Sequence, residues 1–98
     1  MTMTEKRKAF EEKLDAQLKE WNAQIALLKA KADKAKAQTK IEYLAIIDGL
    51  QQKRDTAKAK LQELKAAGPE AWEGLKTSAE KGWAEVTTAF HNAVSKFK

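Results

Sequence analysis

Few side chains in this sequence could do chemistry. The one histidine, His91, stands between Phe90 and Asn92, and the nearest carboxylate before it is Glu85, six residues away. A zinc site takes about four ligands, mostly imidazole and thiolate, and the chain has neither a second histidine nor a cysteine. His91 therefore reads as a surface or boundary residue. Glu11 with Glu12, and Glu70 with Glu73, are carboxylate pairs of the type that general acid–base catalysis uses. Neither pair adjoins a glycine-rich turn, and capping and solvation account for both, since anions are favoured in the first turn of a helix. Glycine-rich phosphate loops, nucleophile elbows and paired-histidine metal motifs are missing from the sequence. The expectation is a non-enzymatic protein with no catalytic residue, no metal and no cofactor.

A second group of residues could bind an anion. Lys29, Lys31, Lys34, Lys36 and Lys40 are opposed only by Asp33 in a segment otherwise built of alanine. With 19 Lys plus Arg against 14 Asp plus Glu, the net charge of +5 invites an acidic partner such as nucleic acid or anionic lipid. No aromatic residue interleaves with these lysines to stack on bases, and the only arginines, Arg7 and Arg54, lie elsewhere. The run is read first as a solvated helix face, with Lys29, Lys31, Lys34 and Lys36 kept as candidate anion contacts and nucleic acid disfavoured.

These residues must be positioned by helices. Between Thr4 and Ala67 there is no proline and a single glycine, Gly49, while Ala, Lys, Glu, Gln and Leu fill most positions. Thr2 and Glu5 have capping-box spacing, which starts a helix near residue 3. Phe10, Leu14, Leu18, Trp21, Ile25, Leu28, Ala32 and Ala35 follow at steps of 3 and 4, the spacing of a coiled-coil stripe. Beyond Thr39 the stripe resumes as Tyr43, Ile46 and Leu50, skips Lys53, and continues through Ala57, Leu61 and Leu64. Two four-residue steps around Thr39 would act as a stutter, straightening the supercoil without a break. Ala67, Gly68 and Pro69 are the clearest stop and restart, with glycine suited to a left-handed C′ position and proline to the first helical position. In the last segment Trp72, Leu75, Ala79, Trp83, Val86, Phe90, Val94 and Phe97 repeat every eleven residues, a hendecad. Its glycines, threonines and serines favour helix less than alanine does, so it depends on burying its aromatic face and should be the first helix to loosen.

The predicted fold is all-α, a single helical domain over 1–98. Residues 1–67 form one long coiled-coil helix or two helices, and 69–98 a hendecad amphipathic helix. Without glycine, proline or asparagine between Leu28 and Leu44, local signals favour one helix of roughly 60 residues, on the order of 90 Å long. The last helix would fold back antiparallel on it as a hairpin and leave half of it for another copy. A three-helix bundle, with a turn near residues 36–40, is the alternative. In the first arrangement Trp21, Ile25, Leu28, Tyr43, Ile46, Leu50, Trp72, Trp83, Phe90 and Phe97 are the protein-contact residues of a homo-oligomer, a dimer or tetramer.

Three stretches, EEKLDAQLKEWNAQIALLKAKADKAKA from Glu11 to Ala37, KIEYL from Lys40 to Leu44 and LQELKAAGPEAWEGLK from Leu61 to Lys76, resemble a family of small bacterial coiled-coil stress-response proteins. The resemblance implies an accessory, non-enzymatic protein linked to osmotic, oxidative or similar stress, and it supplies no catalytic residues. Where similar sequences are charged after KIEY, this one reads LAIIDGL, which widens the apolar face. The longest apolar run, Tyr43 to Ile47, is far short of the roughly 20 residues of a membrane span, and acidic residues interrupt the start where a secretory signal needs an apolar core. The expected location is the cytoplasm. Reversible binding of a membrane surface or of unstable client proteins by the aromatic face of the last helix is the alternative function.

Overall fold

A computed structural model describes residues 2–97 of the chain, all in three helices and their connections, with no strand among them. The helices are α1, Met3–Asp33, α2, Ala37–Ala66, and α3, Pro69–Lys96. Helix α1 opens with the capping box expected of Thr2 and Glu5, each side chain bonded to the other's backbone amide at 3.1 and 3.3 Å. At its far end Lys34 and Ala35 donate to the carbonyls three residues back, Lys31 and Ala32, which tightens and ends the helix.

The long continuous helix is not formed. The chain reverses at residues 34–36, and the molecule extends 52 × 19 × 18 Å, well under the length a single helix over 1–67 would need. The physical reason is that this corner needs no special residue. Lys34 sits at φ −89°, ψ −8° and Lys36 at φ −66°, ψ 156°, regions open to every L-amino acid, so lysine and alanine make the turn without glycine, asparagine or proline. Ala32, wholly buried, and the half-buried Ala35 leave room for the two helices to meet closely. The other connection also departs from expectation. Gly68 has φ −71° and serves as the N-cap of α3, not as a left-handed C′ residue, while Pro69 opens the helix as its composition suggests.

Contacts fix the order of the three helices. Arg7 donates to the carbonyls of Leu64 and Lys65, Lys65 pairs with Asp15 at 2.9 Å, and Arg54 donates to Asn22, so α2 runs back along α1. Helix α3 reverses once more, its Trp72 meeting Glu11, its Trp83 meeting Gln17, and its end, Phe97, reached by Lys31. One core holds all three together, from Leu14 and Leu18 at one end to Ala32, Ile47 and Phe97 at the other.

The α1 stripe is buried at Leu14, Leu18, Trp21, Ile25, Leu28 and Ala32, as its spacing predicts. In α2 the buried side chain is Ile47, with Ile46 half-buried beside it. The stripe there is Tyr43, Ile47, Leu50, Arg54, Ala57, Leu61 and Leu64, an unbroken alternation of four and three residues whose polar member is Arg54 and not Lys53. In α3 the hendecad gives out in its third repeat, where Ala93 is buried and Val94 is 45% exposed. Trp83, Val86, Phe90, Ala93 and Phe97 step by 3, 4, 3 and 4, the period of α1.

Candidate functional site

The ten residues expected to make protein contacts converge within the chain itself. Trp21, Ile25, Leu28, Leu50, Trp72, Trp83, Phe90 and Phe97 are all buried, and Tyr43 and Ile46 pack against them half-buried. Trp21 lies 5.1 Å from Trp83 and 5.3 Å from Phe90 between ring centroids, stacked on the latter at 8°. Tyr43 stacks on Phe97 at 4.0 Å, and Phe10 meets Trp72 edge-on at 5.8 Å. Offset and edge-to-face pairs of this kind are worth about 0.5–1.5 kcal/mol beyond the area they bury. While α2 packs closely on both neighbours, α1 and α3 meet chiefly through these rings.

Two of the three indoles carry a hydrogen-bond partner that sequence reasoning did not assign. Trp72 Nε1 donates to Glu11 Oε2 at 3.1 Å, and Trp83 Nε1 donates to Gln17 Oε1 at 3.2 Å. Glu11 also accepts from Arg7 Nε at 3.0 Å, and Arg7 lies over the Trp72 ring at 5.6 Å while capping the last carbonyls of α2. Lys76 Nζ also lies over the rings of Phe10 and Trp72, at 5.3 and 5.7 Å. Glu11 is thus a structural acceptor joining three helices. Glu70 lies in the first turn of α3, as its spacing implies, and Glu73 stands exposed one turn on. His91 is exposed on α3, and none of the four ion pairs among the described residues includes it.

The lysine run is spread over two elements. Lys29 and Lys31 lie on the last turns of α1, Lys34 and Lys36 form the corner, and Lys40 lies on α2, 3.8 Å from Asp33. Lys31 Nζ donates to the carbonyl of Phe97 at 3.3 Å. Lys31 complements the carboxyl ends of α1 and α3, where partial negative charge collects, whereas Lys36 and Lys40 stand at the amino end of α2.

A concave surface lies elsewhere, between α2 and α3. It is a groove of about 470 Å³ floored by Trp83, Val86, Ala57 and Ala79, with Lys53, Lys60 and Glu85 also lining it. Gly49 and Gly82 line it from opposite helices, and a Cβ at either position would meet no atom within 4 Å. A shallower continuation of about 190 Å³ shares Gly49 and Lys53 and runs on past Ala45, Ala89 and Ala93 toward Lys96. Small residues on both helices thus leave a trough along most of the seam. The signal for it in the sequence, two isolated glycines, carries meaning only once the register of α2 against α3 is known.

No protein-family model, curated protein or solved structure matches this chain. Among the described residues no group of three or more histidine, cysteine, aspartate or glutamate side chains is placed to hold a metal ion, and no helix is long and apolar enough to cross a membrane.

Proposed function

We propose that this chain is a non-enzymatic helical interaction protein, an accessory stress-response protein in the sense its sequence resemblance implies, that works by self-association and protein contact. The observation that carries this reading is the groove between α2 and α3. Its floor is apolar, Gly49 and Gly82 line its walls, and its lining includes Lys53, Lys60, Gln52 and Glu85. An amphipathic helix laid along such a trough would bury its apolar stripe on Trp83 and Val86, and the missing β-carbons would let its backbone come close. The occupant is a helix of a second copy in the first instance, or of a protein client, with acidic residues flanking its stripe to meet the lysines.

The alternative, release of α3 to bind lipid or unstable clients, is less well supported. It would bring Trp72, Trp83, Phe90 and Phe97 out of the core, where each is at most 5% exposed. At about 1.5–3 kcal/mol for each large side chain, opening would cost roughly 6–12 kcal/mol, as much as the whole stability of an ordinary domain.

Light scattering across a size-exclusion peak, over a wide concentration range, tests the proposal. A mass above the 11.0 kDa of one chain is expected at high concentration. Gly82→Leu, which puts a side chain into open space within the groove, should return it to the monomer without loss of helix. A monomer at every concentration would remove self-association and leave the groove to clients alone.

A further inference from the structure

The corner end of the bundle carries a second surface, distinct from the groove. Lys29, Lys31, Lys34, Lys36, Lys40 and Lys96 all lie on the final turns of α1 and α3, the first turn of α2 or the corner between, and among the described residues of those turns the acidic side chains are Asp33 and Glu42. Asp33 is engaged by Lys40, while Lys29, Lys34, Lys36 and Lys96 have no ion pair among the described residues. Of the five large apolar side chains that stand exposed among the described residues, four are at this end: Leu27 at 58%, Ile41 at 69%, Leu44 at 44% and Val94 at 45%. The remaining one, Met3, is at the opposite end.

We infer that this end is a docking surface for an anionic lipid bilayer, on which the bundle stands with its long axis raised from the membrane. Charge and depth both fit. Leu27 and Leu44 are six to eight residues from the corner, on the order of 10 Å at 1.5 Å per residue, and interfacial apolar groups sink about 5–10 Å into the headgroup and acyl boundary. Lysines at the same level extend their stems along apolar surface and hold their ammonium groups among lipid phosphates. Lys36, the N-cap of α2, supplies no side-chain cap, and no acidic residue stands in that first turn, so the helix's free amides also face the anionic surface. A nucleic acid would use the lysines and gain nothing from Leu27, Ile41, Leu44 and Val94. Stacking is closed to it as well, because the aromatic pair at this end, Tyr43 and Phe97, is stacked on itself. The surface meets the continuation of the groove at Lys96, lies apart from Gly82 and Trp83, and needs no opening of α3.

Co-flotation with vesicles of phosphatidylglycerol and phosphatidylcholine, against vesicles of phosphatidylcholine alone, tests the inference on the full chain. Binding to the anionic vesicles is expected, with tryptophan emission unchanged because the indoles stay in the core. Each lysine near an anionic surface is worth about five-fold in affinity, so Lys34→Gln with Lys36→Gln should weaken binding about thirty-fold. Ile41→Ser with Leu44→Ser should weaken it at least ten-fold, and Gly82→Leu should leave it unchanged. All these positions are exposed or face open space, and circular dichroism establishes that each variant is folded. Failure of the wild-type chain to float with anionic vesicles would overturn the inference. So would indifference to the Ile41 and Leu44 changes together with equal binding to a short DNA duplex, since that outcome assigns the lysines to nucleic acid. Equal loss with Gly82→Leu would overturn it too, by moving the contact to the groove.

Discussion

Replacing Ala37 by proline tests the corner on which the fold turns. Ala37 is the first residue of α2, and the amide at that position has no acceptor within its helix, so a proline ring there removes no hydrogen bond. Lys36 before it already lies at φ −66°, ψ 156°, the extended conformation that a following proline requires. The main effect falls on the unfolded chain, which loses freedom, and the variant should gain about 0.4–1 kcal/mol. For a domain of this size that raises Tm by about 2–8 °C. If residues 33–37 instead lay within one continuous helix, the same proline would remove an internal hydrogen bond and press its ring on the carbonyl of Asp33, at about 3 kcal/mol or more. The two arrangements differ in the sign of the effect and by about 4 kcal/mol. Thermal and urea melts followed by far-ultraviolet circular dichroism read the difference directly. A fall in Tm of about 12 °C or more would refute the corner and restore the long helix.

Other consequences are open to measurement. Glu11→Ala takes away the acceptor for Trp72 Nε1 and for Arg7, and should cost about 2 kcal/mol in urea melts; in a double-mutant cycle with Trp72→Phe a coupling below about 0.3 kcal/mol would show that the bond contributes nothing. Gly82→Ala should stabilise by about 0.8–1 kcal/mol, because it improves helix propensity and its Cβ meets no neighbour; a lower Tm would mean the groove is narrower than described. Ala32→Leu puts a larger side chain into the closed corner, where Ala32 is 0% exposed, and a loss of about 1–3 kcal/mol is expected by calorimetry. Native-state hydrogen exchange should find the amides of α3 opening before those of α1, since α3 has two internal glycines and several β-branched and hydroxyl residues; uniform protection would count against that order.

Much of the fold was legible because helices advertise themselves by period. The α1 stripe, the capping box at Thr2 and the break before Pro69 could all be read from neighbouring residues, and the structure places them so. The corner could not, because turn signals mark backbone conformations that only certain residues adopt, and Lys34, Ala35 and Lys36 use conformations that all residues share. Ile46 and Ile47, and likewise Ala93 and Val94, are adjacent apolar pairs in which the partner helix decides which member is buried. The candidate contact residues were visible as large apolar side chains, but that they pack on one another depends on pairings far apart in the chain, such as Trp21 with Phe90. The groove was hidden for the same reason, and of the corner surface the lysine run was visible but not the apolar side chains from separate helices that surround it.

The reliance of α1 and α3 on interlocked rings sets a timetable for a growing chain. Helix α1 and its partner α2 can associate once residue 66 is free, but Trp21 then has neither Trp83 nor Phe90 to cover it. Translation at about 5–20 residues per second takes roughly 2–6 seconds to supply the residues of α3 and expose them beyond α2. For that interval the nascent hairpin presents an apolar seam with an indole at its centre, open to chaperones and proteases alike. Glu11 can pair with Arg7 within α1 as soon as that helix forms, but its second donor, Trp72 Nε1, arrives only with α3.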